Sequence, residues 1–183
     1  EVLSKKFMVR KDSFFQVNKE GISLIYKEVI NLVKELDCNI IYDLYCGTGT
    51  ISLLISDYAK KVIGIEVVED AVRDAKNNAK LNNITNTKFY LGDVSKVIKR
   101  LDYTPDTIIL DPPRSGLSKD LIEFLLSLKV KNIIYVSCNP LTLARDINLL
   151  DNEYELKSIK LVDEFPNTYH LESIALLKLR KKK

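Results

Sequence analysis

The segments TIILDPPR, residues 107–114, and NIIYVSCNP, residues 132–140, decide the fold. Each begins with an apolar, β-rich run and ends in residues that can carry chemistry, Asp111 in the first and Cys138 in the second. In an open parallel α/β sheet, ligands bind at the carboxyl ends of the strands. The two segments therefore predict that an acid and a thiol face one cleft from neighbouring strands, which indicates covalent chemistry beside a bound cofactor.

Strand-like and helix-like segments alternate along the chain. The predicted strands are residues 40–45, 61–66, 87–91, 107–110 and 132–137, followed by two β-rich runs at 155–162 and 171–179. Apolar residues at helical spacing predict helices over 22–36, from 50, over 71–81, after 93, over 119–128 and after 140. This order predicts an α/β domain with a doubly wound, mostly parallel sheet, whose closing hairpin makes the last strand antiparallel.

Composition limits the class of protein. A chain of 183 residues that is 46% hydrophobic is long enough for one domain with a real core. We expect one domain over residues 1–183, with residues 1–18 as an extended lead-in. No apolar run approaches the roughly 20 residues of a membrane helix, no secretion signal is present, and the three cysteines lack zinc-site spacing. These features predict a cytoplasmic protein with no membrane partner and no metal, and the net charge of +3 permits an RNA partner without requiring one.

Residues 43–50, DLYCGTGT, join the first predicted strand to a helix and indicate a cofactor site. The glycines, including Gly47, let the backbone approach a ligand closely, but Ser52 stands where a dinucleotide fingerprint has a third glycine. Glu66 ends the next strand, where an acid can accept both ribose hydroxyls, and Asp93 follows the third strand, where it can accept from an adenine amino group. The acid in the first loop suits a cationic sulfonium, so S-adenosylmethionine is favoured over NAD. Taken singly, each acid also fits a structural role, as a turn cap or a solvated strand end.

These segments together resemble the RNA (uracil-5-)-methyltransferase family, which makes 5-methyluridine in 23S ribosomal RNA and in transfer RNA. The matching residues are 14–18 (FFQVN), 43–50, 64–66 (GIE), 111–114 (DPPR), 135–140 (YVSCNP) and 170–173 (HLES). The resemblance implies a class I methyltransferase fold, Cys138 as nucleophile and Glu172 as general base. The S-adenosylmethionine contacts that we carry to this chain are Gln16, Tyr45, Gly47, Thr50, Glu66, Asp93 and Asp111.

The chemistry of uracil explains why this family needs a thiol. Carbon 5 of uracil is a poor nucleophile, and addition of a thiolate to carbon 6 makes carbon 5 electron-rich, which divides one hard step into easier ones. The helix that starts after Cys138 is expected to favour the thiolate through its dipole. Cys138 in another context is more often a buried core residue, and Glu172 a solvated strand carboxylate.

Other residues near these motifs have two interpretations each. Arg114 either contacts a phosphate or the enolate oxygen, or forms a structural ion pair. His170 is expected to orient Glu172 or the RNA rather than to act as the base. The aromatic residues Phe14, Phe15 and Tyr169 either stack on a flipped base or pack in the core. Cys46 is expected to be packing, and Cys38 to have no role in the reaction.

The function predicted from the sequence is methylation of carbon 5 of an RNA uridine, in ribosomal RNA rather than transfer RNA. Family members carry further sequence before this domain, often an RNA-binding β-barrel, so we expect this chain to be the catalytic part of a longer protein. Two alternatives remain open: a cytosine C5-methyltransferase, which shares thiol addition, and a module that binds S-adenosylmethionine and RNA without turnover.

Overall fold

The computed structural model of the protein describes residues 1–8, 19–163 and 171–181. The helices are α1 (Lys19–Leu36), α2 (Thr50–Leu54), α3 (Glu69–Leu81), α4 (Val94–Val97), α5 (Lys119–Leu128) and α6 (Pro140–Leu150). The strands are β1 (Ile40–Leu44), β2 (Lys61–Glu66), β3 (Thr87–Leu91), β4 (Thr107–Leu110), β5 (Asn132–Ser137), β6 (Tyr154–Val162) and β7 (Glu172–Leu179). Their bounds agree closely with the segments predicted from periodicity.

All seven strands form one sheet in the order β3-β2-β1-β4-β5-β7-β6. Strands β1 to β5 pair in parallel, whereas β7 is antiparallel to both β5 and β6. The predicted α/β class, the mostly parallel sheet and the antiparallel end are therefore confirmed. The hairpin inserts β7 between β5 and the edge strand β6.

The central strands β1, β2, β4 and β5 are buried on both faces, as expected for parallel strands joined by helices. Alternate residues of each central strand enter different clusters. One cluster joins Tyr42, Leu44 and Ile108 to apolar residues of α4, α5 and α6. The opposite cluster joins Ile41 and Ile109 to α1 and α2, and a smaller one packs α3 against β3. Three helices thus cover each face, which leaves the carboxyl edge of the sheet as the place for a site.

The lead-in is held against the end of α3 over the part that the structure describes. The backbone N–H of Lys6 donates to Asn82 Oδ1 at 2.9 Å, and that of Met8 donates to Asn78 Oδ1 at 2.8 Å. Asn82 Nδ2 donates in return to the Lys6 carbonyl at 2.7 Å. These contacts fix residues 6–8 beside the end of α3.

Candidate active site

The loops after the parallel strands lie side by side at one edge of the sheet. Main-chain hydrogen bonds tie each loop to the neighbouring strand: Tyr45 N donates to the Ile65 carbonyl at 2.9 Å, and Gly92 N donates to the Glu66 carbonyl at 2.9 Å. On the other side, Asp111 N donates to the Leu44 carbonyl at 3.3 Å. With the strand order, this places the predicted site residues in one row, listed from one end as Asp93, Glu66, Gly47, Tyr45, Asp111, Cys138 and Glu172.

The glycine loop has room for a ligand at one of its two glycines. Gly47 has φ +52°, and a Cβ built there meets no atom within 4 Å. Gly49 has φ +78°, and a Cβ there would lie 2.9 Å from Phe89 Cζ and 3.0 Å from Ala75 Cβ. Gly49 therefore lets the loop pack on the core, while Gly47 leaves open space above it.

Tyr45 adopts a backbone conformation that bulky residues rarely take. Its φ is +66°, and such strain persists mainly where function or tight packing requires it. Burial, followed by the charges of Asp93, Asp146 and Glu66, raises the pKa of its phenol to about 12. The Tyr45 hydroxyl thus lies in an acidic part of the edge, which suits a cationic ligand.

Glu66 is fixed by backbone donors. Its Oε2 accepts from Gly47 N at 3.0 Å, and its Oε1 accepts from Val67 N at 2.8 Å and Val68 N at 2.9 Å. A carboxylate oxygen has two acceptor sites, so Oε2 keeps one for a further donor such as a ribose hydroxyl. The carboxylate is structural and still available to a ligand.

The two remaining predicted cofactor contacts on the glycine-loop side have partial structural roles. Asp93 caps α4, with Oδ1 accepting from Lys96 N at 3.2 Å. Thr50 is buried at the first position of α2, with its hydroxyl 3.4 Å from that of Thr48. The capping interpretation of Asp93 therefore applies to one of its oxygens, and Thr50 directs its hydroxyl to the loop.

Asp43 is a fully buried acid beneath the glycine loop. Ser52 Oγ donates to its Oδ2 at 2.6 Å, whereas Oδ1 has no hydrogen-bond partner among the described residues. Burial, helped by the nearby Glu66 charge and opposed by the Ser52 hydrogen bonds, raises the pKa of Asp43 from 3.8 to about 7. Ser52, which in the sequence only marked a missing glycine, therefore serves as the partner of this acid.

We expect Asp43 to make the protein less stable as the pH rises from about 4 to about 7. In that range the folded protein holds a proton that the unfolded chain has released, so the free energy of unfolding falls as pH increases. At about 1.4 kcal/mol per pH unit, the contribution between pH 5 and pH 8 is about 3 kcal/mol. Urea unfolding at the two pH values measures it, and Asp43→Asn should remove this part of the difference.

The control for that experiment is Asp120→Asn, which neutralises an exposed carboxylate on α5. It should keep the wild-type difference between pH 5 and pH 8. Equal pH dependence in Asp43→Asn and wild type would show that Asp43 titrates in the folded protein as it does in the unfolded chain.

The residues at this half of the edge fit S-adenosylmethionine. The open space at Gly47, the remaining acceptor site of Glu66 and the acidic surroundings of Tyr45 suit a ligand with ribose hydroxyls and a positive charge. No residue of the loop supplies the lysine that a nucleoside triphosphate site would need.

Cys138 and Glu172 meet at the junction of β5 and β7. Ser137 pairs with Ser173 in the antiparallel register, so Cys138, the residue after β5, and Glu172, the first residue of β7, both adjoin this last pair. Their charges interact, because Glu172 is a principal cause of the raised pKa of Cys138. Two residues that are 34 positions apart in sequence are therefore near each other in the fold.

The loop after β4 brings two further charges to this thiol. Both Asp111 and Arg114 are exposed and act on Cys138, Asp111 raising its pKa and Arg114 lowering it. The expected effect of the start of α6 on the thiolate stays a prediction, because the net shift of the Cys138 pKa is set by other groups. Partial burial, followed by the Glu172 charge, raises the pKa of Cys138 above its ordinary value of 9.0.

Two substitutions should move the pKa of Cys138 in opposite directions. Glu172→Gln removes a negative charge and should shift the pH profile of Cys138 alkylation to lower pH, since the thiolate is the reactive form. Arg114→Gln removes a positive charge and should shift the profile to higher pH. Iodoacetamide labelling followed by peptide mass spectrometry measures both. Glu155→Gln, an exposed position on β6, is the control, and shifts of the same sign in both variants would contradict the arrangement.

The other two cysteines lie away from the thiol site. Cys46 is buried beside Phe89 in the cluster under α3, and burial raises the pKa of its thiol. Cys38 is buried before β1, with its sulfur 3.1 Å from Thr107 Oγ1. The expectation that Cys46 is packing agrees with this position.

Several predicted contacts lie outside the described residues. They are Phe14, Phe15, Gln16, Tyr169 and His170. Their proposed contacts to cofactor or RNA remain predictions.

Asn139 is a residue whose importance sequence analysis missed. Its Oδ1 accepts from Leu141 N at 3.1 Å and so caps α6, while its Nδ2 donates to the Arg114 carbonyl at 3.1 Å. The signal was present, since asparagine before Pro140 is typical of a helix start. Its contact with the Arg114 loop could not be foreseen, because the two are 25 residues apart.

Metal-ligand clusters and membrane-spanning helices are both absent from the described residues. In residues 1–8, 19–163 and 171–181, no group of three or more histidine, cysteine or acidic side chains is arranged to hold a metal ion. No helix in those ranges is both long and apolar enough to cross a membrane.

Comparison with known proteins identifies the family. The family model for tRNA (uracil-5-)-methyltransferase matches residues 1–97 and 93–180. The chain belongs to this family. The resemblance recognised from the DPPR and SCNP segments is thereby confirmed.

Among curated relatives, the chain is 47% identical over 177 residues to an uncharacterized RNA methyltransferase of Clostridium acetobutylicum, covering 96% of this chain and 39% of the relative. It is 45% identical over 178 residues to one from Caldanaerobacter subterraneus, covering 97% of this chain and 40% of the relative. The chain thus spans about two fifths of the length of these family members.

Among solved structures, the chain resembles the Pyrococcus abyssi tRNA (uracil-54, C5)-methyltransferase in complex with S-adenosyl-L-homocysteine. The TM-score is 0.87 at 33% identity, covering 97% of this chain and 43% of that one. The predicted class I methyltransferase fold is confirmed by this match. S-adenosyl-L-homocysteine is what remains of S-adenosylmethionine after methyl transfer, so this family member holds the product of the cofactor predicted here.

Proposed function

We propose that this chain is the catalytic part of an RNA methyltransferase that transfers a methyl group from S-adenosylmethionine to carbon 5 of a uridine. The observation that carries the proposal is that Cys138, after β5, and Glu172, at the start of β7, adjoin the last β5–β7 pair at the same sheet edge as the glycine loop and Glu66. A nucleophile, a base and a cofactor site on one edge are what C5 methylation of a pyrimidine requires.

The residues that would hold the cofactor are Gln16 of the lead-in and, after the strands, Tyr45, Gly47, Thr50, Glu66, Asp93 and Asp111. S-adenosylmethionine, when bound, supplies a methyl group on a positively charged sulfur. Glu66 accepts from ribose hydroxyls, and the acidic surroundings of Tyr45 stabilise the positive charge. Asp111 lies between the two halves of the site and either holds the amino end of the cofactor or accepts from uracil N3–H.

The thiolate of Cys138 adds to carbon 6 of the ring, and the electrons of the C5–C6 double bond move onto carbon 5 and the carbonyl at carbon 4. Arg114 lies on the neighbouring loop and acts on Cys138, so its charge favours the thiolate and the enolate that replaces it. Carbon 5 would then form a bond to the methyl carbon that the cofactor supplies, and the electron pair of the broken carbon–sulfur bond would stay on the sulfur of the departing S-adenosylhomocysteine. Glu172 removes the remaining proton from carbon 5, the double bond re-forms, and Cys138 leaves as the thiolate.

Uracil is preferred over cytosine in this proposal because the matching family model is that of uracil-5 enzymes. A carboxylate such as Asp111, accepting from N3–H, would exclude cytosine, which has no such donor. The substrate that we propose is ribosomal RNA, with transfer RNA as the alternative, since the Pyrococcus neighbour is a tRNA enzyme.

The chain is proposed to act within a longer protein. Its curated relatives extend well beyond the matched region, and we infer that the additional sequence presents the RNA. We also place the protein in the cytoplasm, where RNA and S-adenosylmethionine are available to it.

Release of the C5 proton tests the proposed reaction. Ribosomal RNA and transfer RNA carrying tritium at carbon 5 of uridine, or of cytidine, are incubated with the full-length protein and S-adenosylmethionine. Tritium should enter water from uridine only, in step with methyl incorporation. Release from cytidine would favour the cytosine enzyme, and S-adenosylmethionine binding without release from either base would favour the module without turnover.

A further inference from the structure

The helix after the nucleophile contains a buried carboxylate that the reaction itself does not use. Asp146 on α6 is fully buried. Its Oδ2 accepts from Tyr135 Oη at 2.7 Å and from Leu117 N at 2.8 Å, and its Oδ1 accepts from Arg145 Nε at 2.9 Å and Nη2 at 2.7 Å. These contacts connect three segments: β5 before Cys138, the loop after β4, and α6.

Arg145 extends the connection to the loop. Its Nη2 also donates to the Ser115 carbonyl at 2.9 Å and to the Leu117 carbonyl at 3.4 Å. Gly116 lies between these residues with φ +76°, and a Cβ there would be 2.5 Å from Asp146 Oδ2 and 2.6 Å from Arg145 Nη2. The loop backbone therefore packs directly against the Arg145–Asp146 pair, so closely that position 116 has room only for glycine.

A second set of contacts holds the same loop three residues earlier. Asn139 Nδ2 donates to the Arg114 carbonyl at 3.1 Å, and Thr142 Oγ1 donates to it at 3.3 Å. The main chain of residues 114–117 is thus fixed to α6 at both ends. The side chain of Arg114 extends from this fixed backbone, and its charge lowers the pKa of Cys138.

We propose that Arg145 and Asp146 are positioning residues that hold the loop of Asp111 and Arg114 against the start of α6, and so set where these two charges stand relative to Cys138. This inference rests on the proposed role of Cys138. The hydrogen bonds of the ion pair reach the loop and Tyr135, so its effect on Cys138 passes through these segments. Moving the loop away would remove one of the four hydrogen-bond donors of the buried Asp146 carboxylate. Leaving a buried carboxylate without its partners costs free energy, so the loop is stable against α6.

The test is a double-mutant cycle read by alkylation of Cys138, which needs no RNA. In wild type, Arg114→Gln should slow iodoacetamide labelling of Cys138 several-fold at a pH below the thiol midpoint. In an Asp146→Asn background, the same Arg114→Gln change should have less than half that effect, because Arg114 is no longer held. Asp151→Asn, which removes the exposed ion pair with Arg180 beyond the end of α6, is the control and should leave the Arg114 effect intact.

A merely structural role for Asp146 would lower the melting temperature but leave the Arg114 effect at full size, and that result would overturn the proposal. If Asp146→Asn does not fold, Arg145→Lys serves instead, since the Arg145 side chain is half exposed and lysine cannot donate in the same fork. In the full-length enzyme, Asp146→Asn should lower kcat about 10²-fold, as expected for a small misplacement of reacting groups. Loss of the coupling without any methylation in wild type would refute the proposed function and leave the positioning role intact.

Discussion

Cys138→Ala should abolish RNA methylation while the protein still folds and binds S-adenosylmethionine. We expect the rate to fall by at least about 10⁴-fold, the order of loss when a covalent nucleophile is removed. The reason is chemical: without addition to carbon 6, carbon 5 of uracil remains too weak a nucleophile to take a methyl group. Methyl incorporation into RNA and calorimetric titration with S-adenosylmethionine measure the two properties separately.

Cofactor binding should survive this change because of where the residues lie. Cys138 follows β5, whereas the glycine loop and Glu66 follow β1 and β2, on the other side of β4. Cys38→Ala is the matched control, since Cys38 is buried before β1 beside Thr107 and should keep activity. A Cys138→Ala enzyme with wild-type activity would remove the thiol from the mechanism.

Glu172→Gln should trap the enzyme on its RNA. Addition of Cys138 and transfer of the methyl group come before removal of the C5 proton, so a side chain that cannot accept the proton stops the reaction after the covalent bond has formed. We expect turnover to fall by about 10²- to 10⁴-fold, the usual contribution of a general base. A protein–RNA complex stable in denaturing gels, and heavier by one methyl group, should accumulate.

The electrostatics favour this outcome. Glu172 raises the pKa of Cys138, so its neutralisation makes the thiolate easier to form and does not slow addition. Glu155→Gln, exposed on β6, should turn over normally. His170→Ala distinguishes the other candidate base: trapping in that variant with normal release by Glu172→Gln would assign the base to His170.

The architecture of the sheet was largely predictable because hydrophobic periodicity reports burial directly. The position of β7 inside the sheet, between β5 and β6, was not predicted, although its sequence indicates it. Its sequence ESIALLKL contains a continuous apolar run that is buried on both faces. In β6, by contrast, charged residues stand between the apolar ones, and seven consecutive residues are exposed. A strand buried on both faces belongs inside the sheet.

The chemistry of the site was less predictable, because it depends on contacts between distant parts of the chain. The dipole of α6 is a local feature and could be inferred from Pro140, but the opposing charge of Glu172 comes from another strand. In the same way, the bond from Ser52 to Asp43 and the seat of the loop on Asp146 join residues that no short motif contains. The family motifs predict which residues form the site, and the fold supplies the positions of these residues and the neighbours that shift their pKa values.

The most direct measurement is mass spectrometry of the protein after incubation with S-adenosylmethionine and RNA containing 5-fluorouridine. Fluorine at carbon 5 cannot leave as a proton, so the adduct formed by addition to carbon 6 should persist after methyl transfer. We expect a covalent RNA adduct that carries the added methyl group and maps to Cys138 in the full-length protein. The adduct should be absent from Cys138→Ala. An adduct at another residue, or methylation of ordinary uridine RNA by full-length protein that forms no adduct with the fluorinated RNA, would contradict it.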